Sequence, residues 1–210
     1  MEWPKMPNPE QRSAVGGRRS PVGSRRSEIG NREQRVLRQP APSDAGTRVI
    51  NLNSALLQPS PAGESRLEEA LNYAAHRGAI TVAAAGKQGA VGGSAINRHR
   101  WVIPVAACDM RGRPLDGSNL GSSIGRRGLS APGENVISLG PDGKPETSGG
   151  TSAAAPLVTG AIALLWSEFP SLSAARIKLA VTQAGRWRNA MVPPLLDAWA
   201  AYQALGGGTS

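Results

Sequence analysis

From Arg48 onward the chain alternates short apolar runs with stretches of helical period. Val49-Ile50-Asn51-Leu52 reads as a short buried strand. Ser65-Arg66-Leu67-Glu68 has the form of a capping box. Leu67, Ala70, Leu71, Ala74 and Ala75 then follow the i, i+3, i+4, i+7, i+8 spacing of a helix laid on a sheet, with Gly78 as its C-cap. Ala79 to Ala84 is a second apolar run. Strand, helix and strand in that order predict a β-α-β unit with parallel strands. Val102 to Ala107 is a third strand. A long Gly/Ser/Pro-rich section with two brief strands follows. Ala153 to Ser167 and Ser173 to Ala184 are expected helices, Gly185 capping the second, and Ala198 to Leu205 is a short last one. Ala153 to Trp166 holds no charge, which predicts a helix buried on nearly all sides.

The N-terminal 46 residues break this pattern. They are rich in Arg, Gly, Ser and Pro, with almost no apolar periodicity. A run such as Gly16 to Arg26 buries too little surface to offset the entropy of ordering, so disorder is the expectation for 1–46. The domain reading is therefore a basic segment, 1–46, ahead of an α/β domain, 47–210.

The net charge of +9 and pI near 10.9 suggest nucleic acid at first sight. The charge is divided too evenly for that. Residues 1–46 hold nine Lys+Arg against five Asp+Glu, and residues 47–210 fifteen against ten. No basic stripe is interleaved with aromatics, so neither nucleic acid nor, without an apolar span, a membrane is expected as partner. One cysteine, Cys108, excludes an internal disulfide and ends an apolar strand as a small buried residue. No metal-ligand spacing occurs. No basic-then-apolar leader pattern is seen, so the compartment is open, with the cytoplasm as the default expectation.

The most informative stretch is Gly150-Thr151-Ser152-Ala153-Ala154-Ala155-Pro156. It sets a serine hydroxyl at the start of an apolar helix, where unpaired N–H groups and the helix dipole favour negative charge. That suits an acylated nucleophile. For a lone Gly-Thr-Ser, a plain N-cap is the competing reading. The surrounding motifs shift the balance. The segment resembles the G-T-S-x-A-x-P nucleophile motif of the subtilisin-like serine peptidases. Upstream, in that family's order, stand Val49-Ile50-Asn51-Leu52, Val82-Ala83-Ala84-Ala85-Gly86, Trp101 to Ala107, Ser118-Asn119-Leu120-Gly121 and Ser130-Ala131-Pro132-Gly133. Leu196-Asp197-Ala198 matches the closing motif. The resemblance covers about residues 47–205.

The resemblance implies a mostly parallel α/β sheet flanked by helices, a truncated subtilisin-like fold. It implies Ser152 as nucleophile, with its backbone N–H and the residue at position 87 facing the oxyanion. That residue is Lys87, where the family carries Asn. The loops after Asn51 and Gly86 would line a peptide cleft through Asn53, Ser54, Ala55, Ala85 and Gly86. Asn53-Ser54-Ala55 replaces the family's S-L-G. No cofactor is implied.

Two members of the Asp-His-Ser triad are not found. His76 ends an amphipathic helix and reads as a surface histidine. His99 sits among Arg98 and Arg100 with no carboxylate beside it in sequence. Neither stands in the family's H-G-T/S motif. Asp44, in Pro42-Ser43-Asp44-Ala45-Gly46, reads as a turn residue. Lys87 is the one candidate base, if burial lowers its pKa; a solvent-facing Lys is the competing reading. Two functions follow: a serine endopeptidase domain, incomplete and weakly active or inactive alone, or a non-catalytic chain that binds peptide or a complementary chain carrying Asp and His.

Overall fold

In the computed structural model, residues 46–53, 61–87, 94–185 and 191–207 are described. The disorder expected for 1–46 falls outside these residues except at Gly46, and Ser54 and Ala55 fall outside as well.

Four strands make one sheet: β1 (Val49–Leu52), β2 (Ile80–Ala84), β3 (Val102–Cys108) and β4 (Leu129–Pro132), in the order β1-β2-β3-β4. All three pairings are parallel, with Val49 opposite Ile80, Thr81 opposite Val102 and Val105 opposite Leu129. Helix α1 (Pro61–His76) joins β1 to β2, as the β-α-β reading requires. Every residue of β3 is buried, the mark of a central parallel strand covered on both faces.

Helix α1 begins four residues before the capping box. Pro61 takes the first helical position, where its missing N–H costs nothing, and Glu64 lies in the first turn. Ser65 is thereby inside the helix and not its cap. Leu71 and Ala74 are buried while Ala70 is exposed, so the packed stripe is narrower than expected.

Two short helices are unexpected: α2 (Ala95–Arg98) forms in the polar segment before β3, and α3 (Ser122–Arg127) lies in the Gly/Ser/Pro-rich section after it. Beyond β4, β5 (Val136–Leu139) and β6 (Pro145–Ser148) form an antiparallel hairpin with exposed Ile137 and Leu139. Helices α4 (Thr151–Glu168), α5 (Ala174–Gln183) and α6 (Ala198–Gly206) complete the order. Ser173 caps α5 through its hydroxyl, and Asp197 Oδ1 accepts from Ala200 N at 2.8 Å to cap α6. The closing Leu-Asp-Ala motif is thus a helix start.

The main core lies between the sheet and α4. Val82, Ile103, Val105 and Leu129 meet Ala154, Ala155, Val158, Ile162 and Trp166 there, and Ile177, Val181 and Ala201 close it. Each large apolar side chain buried this way contributes about 1.5–3 kcal/mol. Helix α4 departs from expectation. One face is buried, but Leu157 and Leu164 on the other are exposed. The sheet covers a single side, and no described element covers the second.

Candidate active site

Gly150 places the serine. Its φ of 84° is in the left-handed region that favours glycine, and it turns the chain into α4. Gly150 N donates to Gly133 O at 2.7 Å, and Gly133 N to Cys108 O at 2.9 Å, so the Ala131-Pro132-Gly133 turn fixes the nucleophile turn to the end of β3. A Cβ on Gly133 would come within 2.7 Å of Ala107 Cβ and Gly150 O, which explains glycine there.

Ala153 N and Ala154 N both donate to Gly150 O, at 3.1 and 3.2 Å. Ser152 N donates to no acceptor among the described residues, as expected for the first turn of a helix, and Ser152 is exposed. An unpaired N–H beside an exposed hydroxyl at a helix N-terminus is the arrangement that stabilises a developing oxyanion.

The turn after β2 is tied to this helix. Gly86 N donates to Thr151 Oγ1 at 3.1 Å. The Ala85 carbonyl accepts from Asn97 Nδ2 at 2.8 Å and Asn119 Nδ2 at 3.0 Å, and Asn119 N donates to Gly86 O at 2.9 Å. The Ala85-Gly86 peptide is therefore held at both its oxygen and its nitrogen. Asn97 is buried, and its Oδ1 has no partner among the described residues. From the far side, Asn53 Nδ2 donates to Ser152 O at 3.2 Å. Asn53, Ala85, Gly86 and Ser152 thus gather at the carboxyl ends of β1 and β2. Lys87 follows Gly86 directly and is exposed.

The sequence reading missed Thr151, Asn97 and Asn119 as holders of this turn. Thr151 and Asn119 carried a signal, since both stand in the quoted motifs. Asn97 carried none, because a polar residue in Asn97-Arg98-His99-Arg100 reads as loop.

Neither histidine joins the site. His76 is exposed, with Nδ1 2.7 Å from Asn72 O one turn back on α1. His99 precedes β3, at the amino end of the sheet, and its Nδ1 accepts from Trp101 N at 3.4 Å. Burial, above all, holds its pKa below the ordinary imidazole value. Arg100, Arg127 and Lys178 act the same way, and Glu68 of α1 opposes them. The sequence showed no carboxylate near His99; the fold brings Glu68 from 31 positions away. Asp109 is occupied structurally: its carboxylate accepts from Arg111 N at 2.8 Å, Arg113 N at 2.9 Å and Arg113 Nε at 2.6 Å. Among the described residues no hydrogen bond reaches Ser152 Oγ, and no cluster of three or more His, Cys, Asp or Glu is placed to hold a metal. No helix there is long and apolar enough to cross a membrane.

Comparison with known proteins accords with this geometry. The subtilase family, peptidase S8, matches residues 22–193. Thermostable alkaline protease of Halalkalibacterium halodurans is 37% identical over 124 residues, 59% of this chain and 34% of that protein. Subtilisin BL of Lederbergia lenta is 37% identical over 133 residues, 63% of this chain and 47% of its own length. Among solved structures, the S218A mutant of the protease domain of PatA superposes with a TM-score of 0.72 at 30% identity, covering 79% of this chain and 62% of that one. The chain spans about a third to a half of the length of these curated relatives. It belongs to the subtilase family.

Proposed function

We propose that this chain is the serine-bearing part of a subtilisin-like endopeptidase that hydrolyses peptide bonds through an acyl-enzyme on Ser152. The observation that carries the reading is the exposed Ser152 hydroxyl at the start of α4, beside a turn that Thr151 ties to the same helix. Ser152 Oγ attacks the scissile carbonyl and its proton passes to a base. The oxyanion faces the Ser152 N–H, which has no acceptor among the described residues, and the side chain at position 87. An extended peptide or protein substrate lies along Asn53, Ala85 and Gly86, with Ser54 and Ala55 beyond Asn53 on the sequence reading. The chain alone is slow on two counts. No base reaches Ser152 among the described residues, and triad members act as a unit. Lys87 replaces an amide that, removed from a subtilisin, lowers turnover by roughly a hundred- to a thousandfold. Lys87 acts as base only as the neutral amine, a form that burial favours, and its exposure counts against that role.

A second reading rests on what is left bare. Strand β1 is an edge of the described sheet, and the adjoining helix α4 exposes Leu157 and Leu164. A complementary chain that adds a strand to β1 and a helix to α4 would cover both and bring the Asp and His.

Hydrolysis of casein or a peptide anilide, with Ser152→Ala as control, tests both readings. Alone, the chain is expected to give no useful turnover. Added to an amino-terminal subtilase segment carrying D-T-G and H-G-T, it is expected to gain activity that Ser152→Ala abolishes. Robust Ser152-dependent turnover by the chain alone contradicts the need for a partner. No gain from the mixture, with the two parts shown to associate, contradicts the peptidase reading.

A further inference from the structure

A second concentration of chemistry lies away from Ser152. The serine and its neighbours stand at the carboxyl ends of β1 and β2, while this cluster lies before the amino end of β3. Three elements supply it: His99 and Arg100 between α2 and β3, Arg127 at the end of α3, and Lys178 on α5. Lys178 Nζ donates to Arg100 O at 3.1 Å and stands 5.8 Å from the Trp101 ring centre. The Arg100 guanidinium lies 4.6 Å from the same ring. Arg127 Nη2 donates to Asn97 O at 3.2 Å and Arg98 O at 2.9 Å, which anchors it on the free carbonyls ending α2.

These cations are poorly balanced. None of Arg100, Arg127 and Lys178 forms an ion pair with a described carboxylate. Glu68, on α1, is the carboxylate that acts on His99; Glu64 and Glu68 line a groove with Arg98 and His99. Burial, and Arg127 next, hold the Lys178 ammonium at a pKa of about 8. Arg100, Arg127 and Lys178 all disfavour a proton on His99.

We propose that Arg100, Arg127 and Lys178, beside Trp101, form a binding site for a phosphate-type dianion, separate from the peptidase centre. The donors suit that ligand. Two N–H groups of Arg127 are spent on carbonyls, which leaves three of its five, and Lys178 keeps two of its three. Guanidinium forks match tetrahedral oxyanions, and a dianion offsets the repulsion between Arg127 and the Lys178 ammonium more than a monoanion does. Once bound, it raises the proton affinity of His99 and Lys178.

The test is a titration of the full chain with inorganic phosphate against sodium chloride at matched ionic strength, followed on the imidazole resonances by NMR. His76, the chain's other histidine, is the internal control. Phosphate is expected to raise the His99 pKa saturably while His76 stays put. Arg100→Gln and Lys178→Met are each expected to weaken binding about tenfold or more, the loss of one charge-assisted contact. Arg100 is exposed, so Arg100→Gln keeps the test decisive if Lys178→Met fails to fold. Equal shifts with phosphate and chloride, or wild-type phosphate affinity in Arg100→Gln, overturn the proposal. Sedimentation with phosphatidylcholine vesicles containing phosphatidic acid, abolished in Arg100→Gln, assigns the phosphate to a lipid headgroup. Phosphate binding without sedimentation assigns it to a soluble source.

Discussion

The two faces of α4 carry similar residues and meet opposite fates. Toward the sheet, Ala154, Ala155, Val158, Ile162, Leu165 and Trp166 are buried. Half a turn away, Leu157 is 42% and Leu164 73% exposed, with Gly160 and Ala163 between them, also exposed. A helix apolar all round calls for partners on all sides, and the described residues supply them on one. The nucleophile sits at the junction. Its helix start is locked from the sheet side by Gly133 and Thr151, while Ser152 itself is exposed. What the described chain organises well is the geometry that holds a serine and receives an oxyanion; what it lacks is the proton acceptor.

The comparison is sharpened most by cutting the buried face. Ile162 is fully buried in the main cluster. Ile162→Ala is expected to cost about 2–5 kcal/mol, the lost transfer energy plus a cavity. Urea unfolding with an unchanged slope measures it. A loss under about 1 kcal/mol would mean that the sheet-facing side is not the core.

At the junction, Gly150→Ala is expected to cost about 1–2 kcal/mol. No atom lies within 4 Å of where its Cβ would sit, so the cost is backbone strain at φ 84° and not a clash. Thermal unfolding checks it. A neutral result would show that the turn rearranges freely, and the locked geometry at Ser152 would go with it.

These two sites also show what was legible in the chain. The parallel β1-β2-β3 order and the helix after Ser152 could be read because apolar runs and motifs are local signals. Asp197 and Ser173 as caps are local in the same sense. The one-sided burial of α4 could not be read: a segment apolar on every face has no period that says which side meets the sheet. Nor could the grip of Asn97 on Ala85 O, 12 positions back, or the approach of Glu68 to His99. Such polar contacts are fixed by where the elements pack, and no local pattern announces them. The capping box at Ser65 failed for a different reason. Pro61 and Glu64 form an equally good start one turn earlier, and the longer helix wins.

A smaller effect comes from Lys178. Its folded pKa of about 8 is below the ordinary value of 10.5, with burial the main cause and Arg127 the second. The unfolded chain therefore holds more protons between about pH 8 and 10.5, so this group makes stability rise with pH across that window. Below pH 8 the buried ammonium is a fixed cost. Lys178→Met is expected to flatten the rise, seen as a loss of pH dependence in the urea midpoint from pH 8 to 10. An unchanged slope would place Lys178 in solvent.

The smallest expected effect is the one on which the comparison depends. Leu164 lies two positions from Ile162 yet is 73% exposed. If α4 is bare on that side, Leu164→Glu removes no buried contact, and the carboxylate enters water. The expected change is within about 0.5 kcal/mol, as for surface positions generally. The same substitution acts differently when a complementary segment is present. A carboxylate carried into an apolar helix interface without a partner costs several kcal/mol, so association is expected to weaken by a hundredfold or more, on the order of 3 kcal/mol. Urea unfolding of the chain alone and titration with the added segment are thus read together. Neutral stability with lost association is the signature of an unfilled docking face. A loss of 2 kcal/mol or more in the chain alone would mean that Leu164 is already covered, and the contrast between the two faces of α4 would then disappear.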